Sequence, residues 1–301
     1  GFHQPGPINW FNPSPHAEVE VLPPATRRLY WKGLVDVQVE VVVRLRARLL
    51  LGIFLVAVSF ESAHAWEEDF HYYVVYLLLR AKGYDTNQSH QIAGFSQYVD
   101  DNRHTEPIFQ SPTIRAKYHF VGSTNELPTL VGDQDGAKQI AAAFQKYRTD
   151  PTRGVFGLGI ELHRQADRFS HQGFTAWWNS RLNRRTGSWR PDIGHADAEE
   201  AGHQPDLPHL NTTNAIAAAR WIYDAIPPME GAKQTAEWTA IEGRIRAAFE
   251  TKPANYEVSA KTRIPRIRAI IGEHFGETNV VYKAEEFHKQ GIDFRNALDP
   301  Q

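Results

Sequence analysis

Leu162-His163-Arg-Gln-Ala-Asp167-Arg-Phe-Ser170-His171-Gln172-Gly173-Phe174 is the segment of the chain best suited to chemistry. His163, Asp167 and His171 are spaced i, i+4, i+8, so on a helix all three project from one face. With a rise of about 1.5 Å per residue, the two histidines stand roughly 12 Å apart along the axis. Metal–nitrogen bonds are about 2 Å long, so one ion cannot take both. Asp167 lies between them and has two oxygens. It can bridge two ions, each capped by one histidine, which suits hydrolysis by metals about 3.5–4 Å apart.

Four other segments offer ligands: Trp66-Glu67-Glu68-Asp69-Phe70-His71, Tyr98-Val99-Asp100-Asp101, Tyr118-His119-Phe120, and the run from His195 through Asp197 and Glu199 to Asp206 and His209. Asp100 and Asp101 end a predicted helix, where carboxylates oppose the helix dipole unless a cation is near. Taken singly, a histidine such as His119 is ordinarily a packing residue. His90, His104, His274 and His288 have no patterned neighbours and read as ordinary surface or core residues. The chain has no cysteine, so any metal must rest on His, Asp, Glu or backbone donors.

The elements that must position these residues read as helices. His71–Lys82 is strongly apolar and stops at Gly83, a favoured residue past a helix end. Thr86–Asp101 has helical periodicity. Helices are also expected at Ala137–Arg148, Val155–Trp178, Asn214–Ile226, Lys233–Glu250, roughly Pro265–Phe275 and Lys283–Leu298. Residues 104–133 and 183–211 read as long loops, and loops of that length are usually functional. No strand alternation and no internal repeat follows residue 66. The expectation is an all-α domain of about seven helices over residues 66–301, with two long ligand-bearing loops.

Ahead of it, Arg44-Leu45-Arg46-Ala47-Arg48, the apolar run Leu49–Phe60 and Glu61-Ser62-Ala63-His64-Ala65 form the pattern of a secretory signal peptide over residues 44–65, cleaved after Ala65. The 12-residue apolar run is too short to span a membrane, which needs about 20 residues. Translation is expected to start near Val43, with residues 1–43 a gene-model artefact or a disordered leader. The protein is thus expected to be exported, to the periplasm or the medium, with no stable membrane span.

The order of these candidate ligands resembles the zinc-dependent phospholipase C and fungal single-strand nuclease superfamily, exported all-α proteins that bind three zinc ions. The resemblance touches residues 66–199. It implies that the Trp66 amine and carbonyl bind zinc beside His71. Asp100 then matches the family's helix-end Asp, His119-Phe120 its His-Tyr pair, His163/Asp167/His171 its central helix, and His195 with Glu199 the final pair. Three residues, not five, separate Asp167 from His171, which turns His171 by about half a turn. Asp206, in Pro205-Asp206-Leu207-Pro208, competes with Glu199 as the last ligand. DFHYY, SQYVDD, FSHQGF and GH…PDLP are also similar to a bacterial family of unknown function.

The expected activity is zinc-dependent hydrolysis of a phosphoester, with up to three ions, although other divalent metals also suit the donors. Metal would be held by Trp66, His71, Asp100, Asp101, His119, His163, Asp167, His171, His195, Glu199 and Asp206, and Asp167 and Asp100 would act in the chemistry. The expected partner is a small phosphoester or a phospholipid head group. A net charge of −2 argues against an extended nucleic acid. The competing readings are a His-Asp type metal phosphohydrolase and a non-catalytic helical metal-binding protein, the latter marked by a closed four-ligand site.

Overall fold

The computed structural model describes residues 66–106, 114, 117–119, 133–170, 207–232, 234–254 and 259–290. The signal-peptide segment, His171, His195, Glu199 and Asp206 all lie outside these residues. The described part falls within one compact unit, Ser62–Gln301.

Eight helices and no strand occur among the described residues. Helix α1 opens as a π-helix over Asp69–Val74 and continues as an α-helix over Val75–Ala81. It stops before Gly83, whose φ of 91° favours glycine. Helix α2 (Thr86–Asp101) begins with a capping box: Asp85 accepts from the Gln88 amide at 2.7 Å, and the Gln88 side chain accepts from the Asp85 amide at 3.1 Å. Helices α3 (Asp133–Thr149) and α4 (Pro151–Ser170) follow. At the start of α4, Pro151 occupies the position where no amide is needed and Asp150 accepts from the Arg153 amide. Helices α5 (Thr212–Ala225), α6 (Trp238–Phe249), α7 (Ser259–Phe275) and α8 (Ala284–His288) complete the set.

Each expected helix has a counterpart among the described residues. Helices α3 and α4 start four residues early, at Asp133 and Pro151, and α8 ends at His288 and not Leu298. Residues 171–178 of the expected Val155–Trp178 helix lie outside the described residues. Two further starts are shifted for physical causes. Helix α6 starts at Trp238, not Lys233. The amides of Met229, Thr235 and Ala236 instead donate to the carbonyls of Lys82 and Ala81, satisfying the open end of α1. Helix α7 begins at Ser259, so Pro265 lies inside it and not at its start. The extra turns carry Arg263, fully buried and ion-paired to the beginning of α1.

Helix α4 packs against α1, α2, α3 and α5, so its residues face most of the core. Its approach to α2 depends on Gly159: a methyl group there would stand 2.5 Å from Phe95 Cβ. Gly159 lies one turn before His163, and Phe95 lies five residues before Asp100. This close crossing brings those two side chains together. Behind them, Phe70 stacks on Phe249 with centroids 5.8 Å apart, and the Trp66 ring tilts against Phe70 at 4.1 Å. No helix among the described residues is long and apolar enough to cross a membrane.

Candidate metal centre

Five residues from four separate segments converge in the core. They are His71 of α1, Asp100 of α2, His119 of the turn after Tyr118, and His163 and Asp167 of α4. Each is at most 2% exposed. His119 Nδ1 and His163 Nε2 are 2.9 Å apart. Asp100 Oδ1 lies 3.6 Å from the first and 3.5 Å from the second. Asp167 Oδ2 lies 3.3 Å from His119 Nδ1 and 3.2 Å from His163 Nε2. Two ligand atoms on one ion, with bonds of about 2.0–2.2 Å at angles near 90–110°, stand roughly 2.8–3.6 Å apart. The measured separations fall in that span, so His119 Nδ1 and His163 Nε2 have the spacing of one coordination shell with Asp100 Oδ1, and likewise with Asp167 Oδ2.

The other oxygen of Asp167 faces elsewhere. Asp167 Oδ1 is 3.2 Å from His71 Nε2, and the His71 ring stacks on His163 with centroids 4.0 Å apart. The carboxylate therefore presents one oxygen to His119 and His163 and the other to His71. His71, His163 and Asp167 form one group of donors able to hold a metal ion, and Asp100, His119 and His163 form another.

The protonation states suit such a role. His119 Nε2 donates to the Thr105 carbonyl at 2.6 Å, which leaves Nδ1 with its lone pair turned to the cluster. A backbone acceptor on the far nitrogen is the usual device for fixing the tautomer and angle of a metal-binding histidine. Burial pushes the His163 imidazole below its ordinary value despite the neighbouring carboxylates, so it stays neutral and able to ligate. Burial alone would raise Asp167. The neighbouring imidazoles, His163 foremost, outweigh it and hold the carboxyl well below its usual range. Two carboxylates buried with neutral imidazoles carry negative charge into a low-dielectric interior, a cost that a bound cation would offset.

The remaining sequence candidates are placed differently. Asp101, one residue beyond Asp100 and so turned by about 100° on the helix, is exposed and accepts from the Tyr282 hydroxyl at 2.6 Å. The Trp66 ring is fully buried, and its backbone φ is 32°. Burial, then Asp101 and Asp69, push the neighbouring Glu68 carboxyl up to about 7.

One contributor carried no sequence signal. The Thr105 carbonyl is backbone, and no residue type reports it. Asp69 sat among the ligand candidates, but its carboxylate is engaged by Arg263 of α7, 194 residues away in sequence. Glu161 is also buried on α4. Burial raises its pKa, while its carboxylate is engaged by Arg164 at 2.7 Å and Gln165 at 2.6 Å, outside the His/Asp cluster.

Residues 67–145 match a protein family of unknown function (DUF6765). That stretch contains His71, Asp100 and His119, three of the five clustered residues. No curated protein and no solved structure matches the chain.

Proposed function

We propose that this protein is a metal-dependent hydrolase of phosphoesters whose centre holds two zinc ions bridged by Asp167. The observation that carries the reading is the division of the Asp167 carboxylate between His119 and His163 on one side and His71 on the other. Asp100, His119 and His163 would hold one ion with Asp167 Oδ2 beside them, and His71 with Asp167 Oδ1 would hold the second. An imidazole and carboxylate donor set without thiolate suits zinc among the divalent metals. Paired ions of this kind supply Lewis acidity toward phosphoryl oxygens and a water of lowered pKa.

The chain's own residues supply the rest. Asp167 fixes the spacing of the two positions, and its depressed pKa keeps it an anion throughout the neutral range. His163 remains neutral, and the Thr105 carbonyl orients His119. The substrate class is a small phosphoester or a phospholipid head group. Export after Ala65 would add the freed Trp66 amine as a ligand beside His71.

A specific observation favours a second reading. Asp100, His119 and His163 form a buried donor group for a single ion, with Asp167 Oδ2 beside both histidines, and a closed four-ligand site there would be structural. Hydrolysis of bis(p-nitrophenyl) phosphate and p-nitrophenyl phosphorylcholine separates the two. The hydrolase reading requires turnover that chelation abolishes, zinc restores and Asp167→Asn removes. A zinc-loaded, folded protein without turnover on either ester would leave the structural reading.

A further inference from the structure

Arg263 is the most deeply buried cation among the described residues, with no exposed surface. Its Nε donates to Asp69, and its Nη2 donates to Glu67 at 3.1 Å and to Ser259 Oγ at 2.8 Å. The other Asp69 oxygen accepts from the Phe70 amide at 3.0 Å. The charge from α7 is thus clamped onto the first residues of α1, two positions before His71. There α1 is π-helical, over Asp69–Val74. π-Helical turns are rare, and each sets the angular position of its side chains differently from an α-helix. No side-chain cap supports this helix start, because Glu68 makes no capping bond. The ion pair is the charged tertiary contact that holds the turn in that register, beside the stacking of Phe70 on Phe249 and the Tyr72–His90 hydrogen bond.

We propose that Arg263 is a positioning residue for the metal centre: through Asp69 it locks the π-helical opening of α1, and so holds His71 Nε2 against the second oxygen of Asp167. This rests on the two-ion reading above. The other four donors come from α2, the His119 turn and α4, so the effect of Arg263 is confined to the His71 position. A side chain whose role is only to stabilise the fold would show no such selectivity between the two ions.

The test counts ions in the full-length protein. Wild type, Arg263→Met, the double variant Asp69→Asn/Arg263→Met and His71→Ala are stripped, titrated with zinc, and read by elemental analysis and by cobalt(II) absorption. The double variant removes both buried charges, so it does not leave a carboxylate stranded in the core. The expected result is two ions in wild type and one in the three variants, the weaker ion losing at least about tenfold in affinity, as for other outer residues of metal sites. Two ions bound as in wild type by both Arg263 variants would overturn the positioning role and leave the two-ion reading intact. Loss of both ions in the folded double variant would also overturn it, because selectivity is lost. A single ion in wild type, unaffected by His71→Ala, would overturn the two-ion reading and the positioning role with it.

Discussion

His119 Nδ1 and His163 Nε2 stand 2.9 Å apart while His119 Nε2 is committed to the Thr105 carbonyl. Two imidazole nitrogens at that distance share either a proton or a cation. The Asp100 and Asp167 oxygens around the same pair make the cation the better match to the charge. His163 and His119 are 44 residues apart in sequence, so this meeting is a product of the fold.

Asp167→Asn is expected to weaken both ions, and Asp100→Asn only one. Asp167 contacts all three clustered histidines through its two oxygens, whereas Asp100 contributes to one position. An amide is a poor replacement for either carboxylate. Metal titration should show losses beyond about a hundredfold, more than outer-shell changes cause. Equal zinc content in wild type and Asp167→Asn would end the bridging assignment.

Gly159→Val is expected to destabilise the protein by about 1–3 kcal/mol through overpacking. The side chain would push into Phe95 and the Ser96 amide, where even one methyl has no room. A lower denaturant midpoint at unchanged slope would report it. Because α2 and α4 would separate, weaker metal binding should accompany the change. A fully stable Gly159→Val would show that α2 and α4 need not approach so closely.

The metal-free protein is expected to lose stability as pH falls below about 6.5. His163 is held below that value when folded, so the unfolded chain takes up a proton that the native state refuses. Stability from this group is present above the unfolded pKa and declines toward the folded one. Asp167, depressed in the native state, adds a further loss once pH falls through about 3.9 toward its lower native value. One proton corresponds to a slope of about 1.4 kcal/mol per pH unit. Denaturant midpoints measured from pH 7.5 to 5.5 check it, and a flat profile would contradict the burial of neutral His163.

The helical class and the His163/Asp167 pair were legible because each depends on local spacing. Thr86–Asp101 has its expected limits, since a capping box starts it and the chain turns away at Asn102. What was not legible depends on contacts between distant segments. The start of α6 is decided by carbonyls at the end of α1, and the start of α7 by the ion pair of Arg263. His90 and His288, read as ordinary, bond to the hydroxyls of Tyr72 and Tyr98 at 2.6 and 2.9 Å. Asp100 could be told from Asp101 only once α2 was seen to turn the first toward α4. The partner of His163 across the Asp167 carboxylate is His71, nearly a hundred residues earlier in the sequence, and no periodicity in the sequence reports that.

The number of metal ions bound by the purified chain tests the central claim most directly. The account predicts two zinc ions per wild-type chain by elemental analysis, falling to one in His71→Ala while the centre at Asp100, His119 and His163 stays filled. A wild-type chain that holds one ion or none, with no change in His71→Ala, would contradict it.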